Sequence, residues 1–261
     1  MLGFTSLYPT SKISTLYPLL RNMSSESQLN LFGQPSASPA SDSATLADNF
    51  DLIPTISSIP IPSGTYSGIS QLTAHCQACH RCELGNTRIN AVVGRGNERA
   101  PILIIGEGPG QNEDEQGLPF VGRSGQLLEK ILAAVKLTIE HDVYICNVVR
   151  CRPPENRVPT PAEVAACKPY LLEQIRLIDP KIILLTGATA VKAITGKKDG
   201  ITKIRGTWIE WEGRWCMPIF HPAYLLRNPA PDVGKPKWLM WQDIQAIRAK
   251  LDEVRQVQSP D

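Results

Sequence analysis

Five of the seven cysteines fall into two groups whose spacing is typical of a metal site. Cys76, Cys79 and Cys82 follow one another with two residues between neighbours, and Cys151 and Cys167 come later, around a proline-containing segment. Four soft thiolates are the ligand set of a structural zinc ion and equally that of an iron–sulfur cluster. The spacing therefore predicts a metal site and leaves the choice between zinc and iron open.

The other two cysteines, Cys146 and Cys216, lie inside apolar segments, where a thiol is usually a small buried hydrophobic group. Seven is an odd number, and the cysteines are unevenly spread, which argues against a secreted disulfide framework and for a reducing compartment. We therefore expect a cytoplasmic protein, associated with the nucleoid if its source is bacterial. Residues 1–21 are serine-rich and acid-free, so an organellar transit peptide stays open as an alternative.

A glycine-rich loop, an asparagine and a histidine each follow a predicted strand. The loop over residues 106–122 has no G-x-G-x-x-G pattern, no Lys-Ser or Lys-Thr pair, and four acidic side chains. Since these carboxylates would repel a phosphate group, the loop is not predicted to bind a nucleotide. Its Gly-Pro-Gly bend instead suits a backbone that passes close to a flat ligand. Asn147 and His221 are the polar side chains that follow two other strands.

Alternating strands and helices must position these residues, and this alternation predicts an α/β fold. We expect a three-layer α/β/α sandwich with a central, mostly parallel sheet of about four strands. The strands are predicted over residues 102–106, 142–149, 181–187 and 216–224, and the helices from Ser124 onwards and over 161–178, 188–195 and 239–256. Residues 201–215 are predicted to form a hairpin that turns near Glu212 and Gly213. Ligands of such sheets bind beyond the carboxyl ends of the strands, where the loop, Asn147 and His221 lie.

The composition predicts one globular domain with a tail. The chain has 261 residues, of which 42% are hydrophobic and 20% charged, and it contains no apolar run long enough to cross a membrane. Because the formal net charge is only +2, affinity for a polyanion requires a local positive patch. Residues 23–63 contain ten serines and five prolines without periodicity. We therefore expect a disordered N-terminal arm over residues 1–67 and a folded domain over residues 68–261.

Five sequence blocks, together with Cys167, resemble family 4 of the uracil-DNA glycosylase superfamily, whose bacterial and archaeal members carry an iron–sulfur cluster. The resemblance covers roughly residues 70–255, and the order of the blocks makes it specific. The blocks are CHRCELGNTR (79–88), GEGPGQNEDEQGLPFVGRSGQLL (106–128), CNVVRCRPPENR (146–157), ITKIRGTWIEW (201–211) and HPAYLLRNP (221–229).

This resemblance implies a DNA repair hydrolase. Such an enzyme removes uracil from damaged DNA by hydrolysing the N-glycosidic bond, which releases the free base and leaves an abasic site for base excision repair. The resemblance also implies uracil-containing DNA as the partner, single- or double-stranded, with no membrane and with the protein a monomer. It implies a 4Fe-4S cluster held by Cys79, Cys82, Cys151 and Cys167, with Cys76 as an extra thiol well placed to compete.

In such an enzyme the uracil is flipped out of the DNA and recognised in a pocket. Phe120 is expected to supply an aromatic face against which the base stacks. Asn147 can donate to uracil O4 and accept from uracil N3–H, and because cytosine reverses both demands, this side chain can reject cytosine. His221 can stabilise the negative charge that develops on uracil O2 as the glycosidic bond breaks.

Either Glu107 or Glu113 is expected to position the attacking water, and Glu107, Gly108 and Pro109 are expected to line the substrate pocket. The best-known family of the superfamily has an aspartate at the position of Gly108, and family 4 shares the departure seen here. Because the transition state resembles an oxocarbenium ion, a strong base is not essential. The tyrosine that excludes thymine elsewhere is replaced by Gly110, so Glu113 is expected to exclude the 5-methyl group.

Contacts with DNA are expected from the histidine block and from several arginines. Leu225, Leu226 and Arg227 are expected to enter the duplex as a wedge. Phosphate contacts are expected from the backbone N–H at Ser124 and from Arg123, Arg150, Arg152, Arg157, Arg205 and Arg227. The competing function class is a metal-containing module that binds uracil-containing DNA without turnover, and a zinc-containing regulator is a third.

Overall fold

The computed structural model describes residues 60–258, and its centre is one six-stranded sheet. The strands are β1 (Arg95–Gly96), β2 (Ile102–Gly106), β3 (Val143–Asn147), β4 (Ile182–Thr186), β5 (Ile209–Trp211) and β6 (Arg214–Ile219). Their order is β1-β3-β2-β4-β6-β5, in which the four inner strands pair in parallel and the two outer strands pair antiparallel. The predicted mostly parallel sheet is confirmed, and two short edge strands add to the four that were expected.

The α-helices of the described residues alternate with the strands along the chain. They are α1 (Ile69–Gln77), α2 (Leu84–Thr87), α3 (Gln111–Gln116), α4 (Arg123–Ala134), α5 (Pro161–Ile178), α6 (Ala188–Thr195), α7 (Ile201–Ile204), α8 (Pro222–Arg227) and α9 (Pro236–Gln258). Within residues 60–258, no helix has both the length and the apolar character that a membrane span requires.

The sheet separates two apolar cores, as its period-two side-chain alternation requires. Leu103 and Ile105 of β2 belong to the core that includes residues of α1, α5 and α6. Ile102 and Ile104 belong to the other core, which includes residues of α4, α8 and α9. Every residue of β2, β3 and β4 is buried, as is typical of parallel strands covered on both faces. The predicted three-layer α/β/α sandwich is therefore confirmed.

The register of the parallel strands brings their carboxyl ends to one edge. Gly106, the last residue of β2, pairs with Asn147, the last residue of β3. Thr186 at the end of β4 pairs with Ile219 at the end of β6, and His221 follows two residues later. The polar residues that the sequence places after separate strands therefore lie at the same edge of the sheet.

The predicted hairpin over residues 201–215 is only partly correct. Residues 201–204 form the single helical turn α7, and the hairpin consists of the short strand β5 followed by β6. Its turn is at Glu212 and Gly213, as predicted, with φ angles of 47° and 72° that suit a two-residue hairpin turn. A four-residue helix is too short to show a helical period in the sequence.

The segment just before α1 is folded, although the sequence predicts a disordered arm over residues 1–67. Residues 1–59 of that arm lie outside the described residues. The side chain of Tyr66 is only 1% exposed. The backbone N–H groups of Gly64 and Tyr66 donate to the two carboxylate oxygens of Glu173 on α5, at 2.9 and 3.3 Å. A single aromatic residue in a serine- and proline-rich stretch gives no periodic signal, so the sequence places the start of the folded part too late.

We expect Tyr66→Ala to lower the free energy of unfolding by about 3 kcal/mol, because it removes a large buried aromatic side chain. Urea unfolding monitored by circular dichroism measures the loss. Ser63→Ala, an exposed change in the same segment, is the matched control and should leave the midpoint unchanged. Equal midpoints for the two variants would show that this segment does not contribute to the core.

Candidate active site

A cleft of about 670 Å³ opens at the carboxyl ends of the four parallel strands. It contains all the residues that the sequence predicts to bind substrate, contributed by the glycine-rich loop after β2 and by the ends of β3 and β6. Its lining includes Glu107, Gly108, Pro109, Gly110, Glu113, Phe120, Asn147, Thr186, Gly187, His221, Tyr224 and Arg227. The structure thus brings together residues that are more than a hundred positions apart in the sequence.

Asn147 is buried at the end of β3 and has an unsatisfied acceptor. Its side chain is only 2% exposed, and its Oδ1 has no hydrogen-bond partner among the described residues. Gly106 on the neighbouring strand makes this position possible, because a Cβ there would collide with Asn147 Oδ1 and lie 2.7 Å from the Phe120 ring. A buried acceptor without a donor is costly, so this oxygen is available to an N–H group of a ligand.

Phe120 is held rigidly in an unfavourable backbone conformation. Its φ angle is 55°, a left-handed value that is uncommon for a bulky residue. Arg95 donates from Nε to the Pro119 carbonyl and from Nη2 to the Phe120 carbonyl, both at 2.7 Å. Gly125 lets helix α4 approach, because a Cβ there would collide with the Phe120 carbonyl. Such fixed strain is typical of functional sites, and here it fixes the aromatic ring in the cleft.

His221 is the N-cap of α8, and its hydrogen bond determines which nitrogen carries the proton. The backbone N–H of Ala223 donates to His221 Nδ1 at 3.2 Å. In a neutral ring, Nε2 therefore bears the hydrogen and is the donor. The pKa of His221 is lowered to about 4, because the ring is withdrawn from solvent and because Arg227 is positively charged, with Glu113 opposing. The ring lies 5.7 Å from the Phe120 ring, centroid to centroid, and is neutral at neutral pH.

Glu113 lines the cleft, but its carboxylate is already engaged by the backbone. Oε1 accepts from the N–H groups of Val121 and Gly122 at 3.0 and 2.8 Å, and Oε2 accepts from Gly110 N–H at 3.2 Å. These bonds join the first and last parts of the glycine-rich loop. Since both oxygens are used, Glu113 fixes the loop that carries Phe120.

Glu107 has a different environment from Glu113. Its Oε2 accepts a hydrogen bond from the hydroxyl of Thr189 at the start of α6. Among the described residues, its second carboxylate oxygen makes no hydrogen bond, so one oxygen of this cleft residue remains for a ligand or a water. The roles of Thr189 and Arg95 in the cleft are not predicted from the sequence. Neither belongs to a recognisable motif, and only the folded chain brings them to the site.

Two of the predicted DNA contacts are wrong. Leu225 is 1% exposed and packs in the core with α4 and α9, so it cannot act as a wedge. Arg150 is 2% exposed and buried, so it cannot contact a phosphate. Leu226 and Arg227 are exposed, and Arg205 forms an ion pair with the buried Asp243. The remaining predicted cations are Arg123, which is exposed, Arg152, which is half-buried, and Arg157, which is paired with Glu163 at 2.7 Å.

The five cysteines of the two sequence groups line one small cavity that shares no lining residue with the cleft. All of them are free thiols. The cavity is bordered by Cys76, Cys79, Cys82, Cys151 and Cys167 together with Arg81, Arg88, Arg150 and Tyr170. Arg88 Nη1 donates to Cys151 Sγ at 3.0 Å. Cys146 and Cys216, in contrast, are fully buried within strands, as predicted.

The donor set of this cavity consists of thiols and fits a thiolate-bound cluster. Within residues 60–258, no group of three or more histidine, cysteine, aspartate or glutamate side chains is positioned to hold a single metal ion. Neighbouring arginines supply positive charge that would stabilise thiolates over thiols. The thiols and the neighbouring arginines together have the chemistry that a thiolate-bound metal group requires.

Comparison with known proteins gives consistent results. A family model described as the uracil DNA glycosylase superfamily matches residues 93–245. The chain is 48% identical over 173 residues to the type-4 uracil-DNA glycosylase of Thermotoga maritima, covering 66% of this chain and 88% of that protein. It is 44% identical over 161 residues to that of Sulfurisphaera tokodaii, covering 58% and 73%. It is 41% identical over 170 residues to that of Archaeoglobus fulgidus, covering 62% and 84%.

We expect Gly106→Ala to disable the cleft, because the added methyl group must displace Asn147 or Phe120. Overpacking of this kind costs about 1–3 kcal/mol of stability, and a displacement of about 1 Å lowers a rate by about 10²-fold. Release of uracil from an oligonucleotide and the melting temperature measure both effects. Gly68→Ala is the control, since no atom lies within 4 Å of a Cβ there. A Gly106→Ala variant as active as Gly68→Ala would refute the close approach.

We expect His221→Gln to remove part of the pH dependence of stability. The folded pKa of His221, about 4, is below its ordinary value of 6.5. Between these values the unfolded chain binds more protons, so this group makes the free energy of unfolding rise with pH and level off above the ordinary pKa. Urea unfolding at about pH 5 and about pH 7 measures the rise. It should be larger in the wild type than in His221→Gln, and equal rises would contradict a neutral His221.

Proposed function

Because the chain belongs to the uracil DNA glycosylase superfamily, we propose that it hydrolyses the N-glycosidic bond of uracil in DNA. The products are free uracil and an abasic site, as base excision repair requires. The observation that carries this proposal is the unpartnered Oδ1 of buried Asn147, in a cleft that also contains the Phe120 ring and a neutral His221. Asn147 can hydrogen-bond the edge of one flat base, and we call it the edge reader. Phe120 is the surface on which the base stacks, and His221 is a hydrogen-bond donor to it.

Asn147 selects uracil over cytosine. Its Oδ1 accepts from uracil N3–H and its Nδ2 donates to uracil O4. Cytosine has an acceptor at N3 and a donor at N4, so both contacts would fail and the buried amide would stay unpaired. The absence of a side chain at Gly106 leaves the space that the Asn147 amide and the Phe120 ring occupy beside the base.

His221 supplies stabilisation of the leaving base. As the glycosidic bond breaks, negative charge develops on uracil O2, and the Nε2–H of neutral His221 donates to that oxygen. The Ala223 N–H bond to Nδ1 keeps the ring in the required tautomer before the substrate arrives. A donor that is already oriented costs no reorganisation in the transition state, which is the source of its catalytic effect.

We assign to Glu107 the roles of positioning the attacking water and stabilising the positively charged sugar. Thr189 holds one of its carboxylate oxygens, and the other faces no protein donor among the described residues. A carboxylate in this position orients water and stabilises the positive charge of an oxocarbenium-like sugar. Glu113 acts indirectly in this scheme, as a positioning residue for the loop of Phe120.

DNA binds across the mouth of the cleft, with the protein acting as a monomer. Arg227 lines the cleft, and Leu226 next to it is 37% exposed on α8. Leu226 fills the gap left by the flipped nucleotide, and Arg227 with Arg123 and Arg152 contacts phosphates. Flipping costs a few kcal/mol, which is smallest in single-stranded DNA, so both strand states are substrates.

The cysteine cavity holds a 4Fe-4S cluster in this proposal, with Cys79, Cys82, Cys151 and Cys167 as the ligands. Cys79 and Cys82 in the segment after α1, Cys151 in the loop after β3 and Cys167 on α5 would hold the cluster. The chain contributes the four thiolates and the arginines that favour their deprotonated form. Cys76 is the fifth thiol of the cavity and is fully buried beside them.

The function is tested with an oligonucleotide that contains one uracil. The wild type should release uracil, and alkali should then cleave the strand at the abasic site, whereas thymine and cytosine oligonucleotides should stay intact. His221→Ala should lower the single-turnover rate by about 10²–10³-fold with DNA binding nearly unchanged. Tight binding of uracil-containing DNA without cleavage would instead support a binding module.

Asn147→Asp tests the assignment of the edge reader. A protonated aspartate donates to cytosine N3 and accepts from the cytosine N4 amine, so this variant should lose activity on uracil and gain a trace of activity on cytosine. Parallel single-turnover assays on the two oligonucleotides measure the change. Full uracil activity in Asn147→Asp would exclude this residue as the edge reader.

Single cysteine-to-serine variants test the cluster and its ligands. Serine at Cys79, Cys82, Cys151 or Cys167 should abolish stoichiometric iron and the broad visible absorbance of anaerobically purified protein, because one thiolate is lost. Cys76→Ser should keep both, and Cys216→Ser, in a strand, is the control. Stoichiometric zinc without iron would overturn the cluster, and loss of iron in Cys76→Ser would change the ligand set.

A further inference from the structure

Arg150 is a fully buried arginine that lies between the cysteine cavity and the end of β3. Its Nη1 donates to the backbone carbonyls of Asn147 and Val148, both at 3.1 Å. The same nitrogen lies 3.9 Å from Cys167 Sγ, and Nη2 donates to Gln174 Oε1 on α5. One guanidinium therefore contacts both the backbone of the proposed base reader and a thiol of the cysteine cavity.

The charge of Arg150 has no carboxylate partner within the described residues. An arginine buried without an opposite charge is strongly unfavourable, because desolvation of the cation is not offset. The nearest groups that can carry negative charge are the thiols of the cavity that Arg150 itself lines. Its Nε–H also has no hydrogen-bond partner among the described residues, so one donor remains for a ligand.

We propose that Arg150 is a positioning residue that couples the cysteine cavity to Asn147. When the thiolates carry the proposed cluster, their negative charge holds the guanidinium in place, and the guanidinium then fixes the carbonyls of Asn147 and Val148. The planar guanidinium contacts the two carbonyls and Cys167 through Nη1 and Gln174 through Nη2, whereas a lysine has one nitrogen and lacks this second, fixed donor position. Without the negative charge, Arg150 loses its counterion, and the carbonyls of Asn147 and Val148 each lose one hydrogen bond. This inference rests on the proposed function.

The test compares Arg150→Lys and Arg150→Met with Arg248→Met, a partly buried arginine of α9 that pairs with Asp252 far from both sites. Iron content, single-turnover uracil release and DNA affinity are measured on holoprotein. Arg150→Lys should keep the iron and the DNA dissociation constant, but lower the single-turnover rate per loaded molecule by about 10–10²-fold. Arg248→Met should match the wild type in all three.

The reduction potential of the cluster is a readout that does not depend on activity. Arg150→Met should lower the potential, because the positive charge that favours the more negative reduced cluster is gone. Arg150→Lys should stay closer to the wild type. An unchanged potential in Arg150→Met would overturn the electrostatic half of the proposal.

Gln174→Met keeps the proposal testable if neither Arg150 variant folds. It removes the acceptor of Arg150 Nη2 while conserving the volume and the charge, and should lower the single-turnover rate by about 3–10-fold with iron content unchanged. Wild-type rates in loaded Arg150→Lys or Gln174→Met would overturn the coupling. Wild-type protein that releases no uracil in the same assay would refute the proposed function instead.

Discussion

The parallel pairing of β2 with β3 places Gly106 opposite Asn147, and the candidate active site depends on how closely these two residues approach. Only a residue without a side chain leaves space at this point for both the Asn147 amide and the Phe120 ring. The pairing continues past the ends of the strands, since Val148 N–H donates to the Gly106 carbonyl and Val149 N–H to the Glu107 carbonyl, at 2.8 and 3.2 Å. It thereby leads Glu107 into the cleft, while the chain after Val149 reaches the cysteine cavity.

Other contacts in the cleft fix the positions of Phe120 and of the loop that carries it. Phe120 keeps a left-handed backbone because Arg95 binds its carbonyl on one side and α4 packs closely against it at Gly125. Glu113 ties both ends of the same loop through three backbone N–H groups. A local strain of about 1–3 kcal/mol persists only when the surroundings determine it. Here the surroundings are specific polar and steric contacts, and they give the acidic Glu113 of this loop a structural role.

The sequence predicts those features that rest on local pattern, and it misses those that depend on tertiary contact. Five-residue apolar runs identify β2 and β4, whereas β1 has two residues and is too short to show any period. Adjacent leucines on α8 look alike in sequence, but helical geometry turns Leu225 into the core and Leu226 to solvent. The clustering of five thiols follows from the sequence, because cysteine spacing is itself the signal.

The environment of Arg150 could not be predicted from the sequence and is known only from the folded structure. In the sequence it is one arginine in a basic segment, which favours a surface contact with DNA. In the structure its guanidinium is buried and contacts two carbonyls, a glutamine and a thiol. Among the described residues, the cleft and the cysteine cavity share no lining residue. A group held by the thiols is therefore separate from the cleft, and Arg150, which contacts both the Asn147 carbonyl and Cys167 Sγ, is a direct physical link between the two.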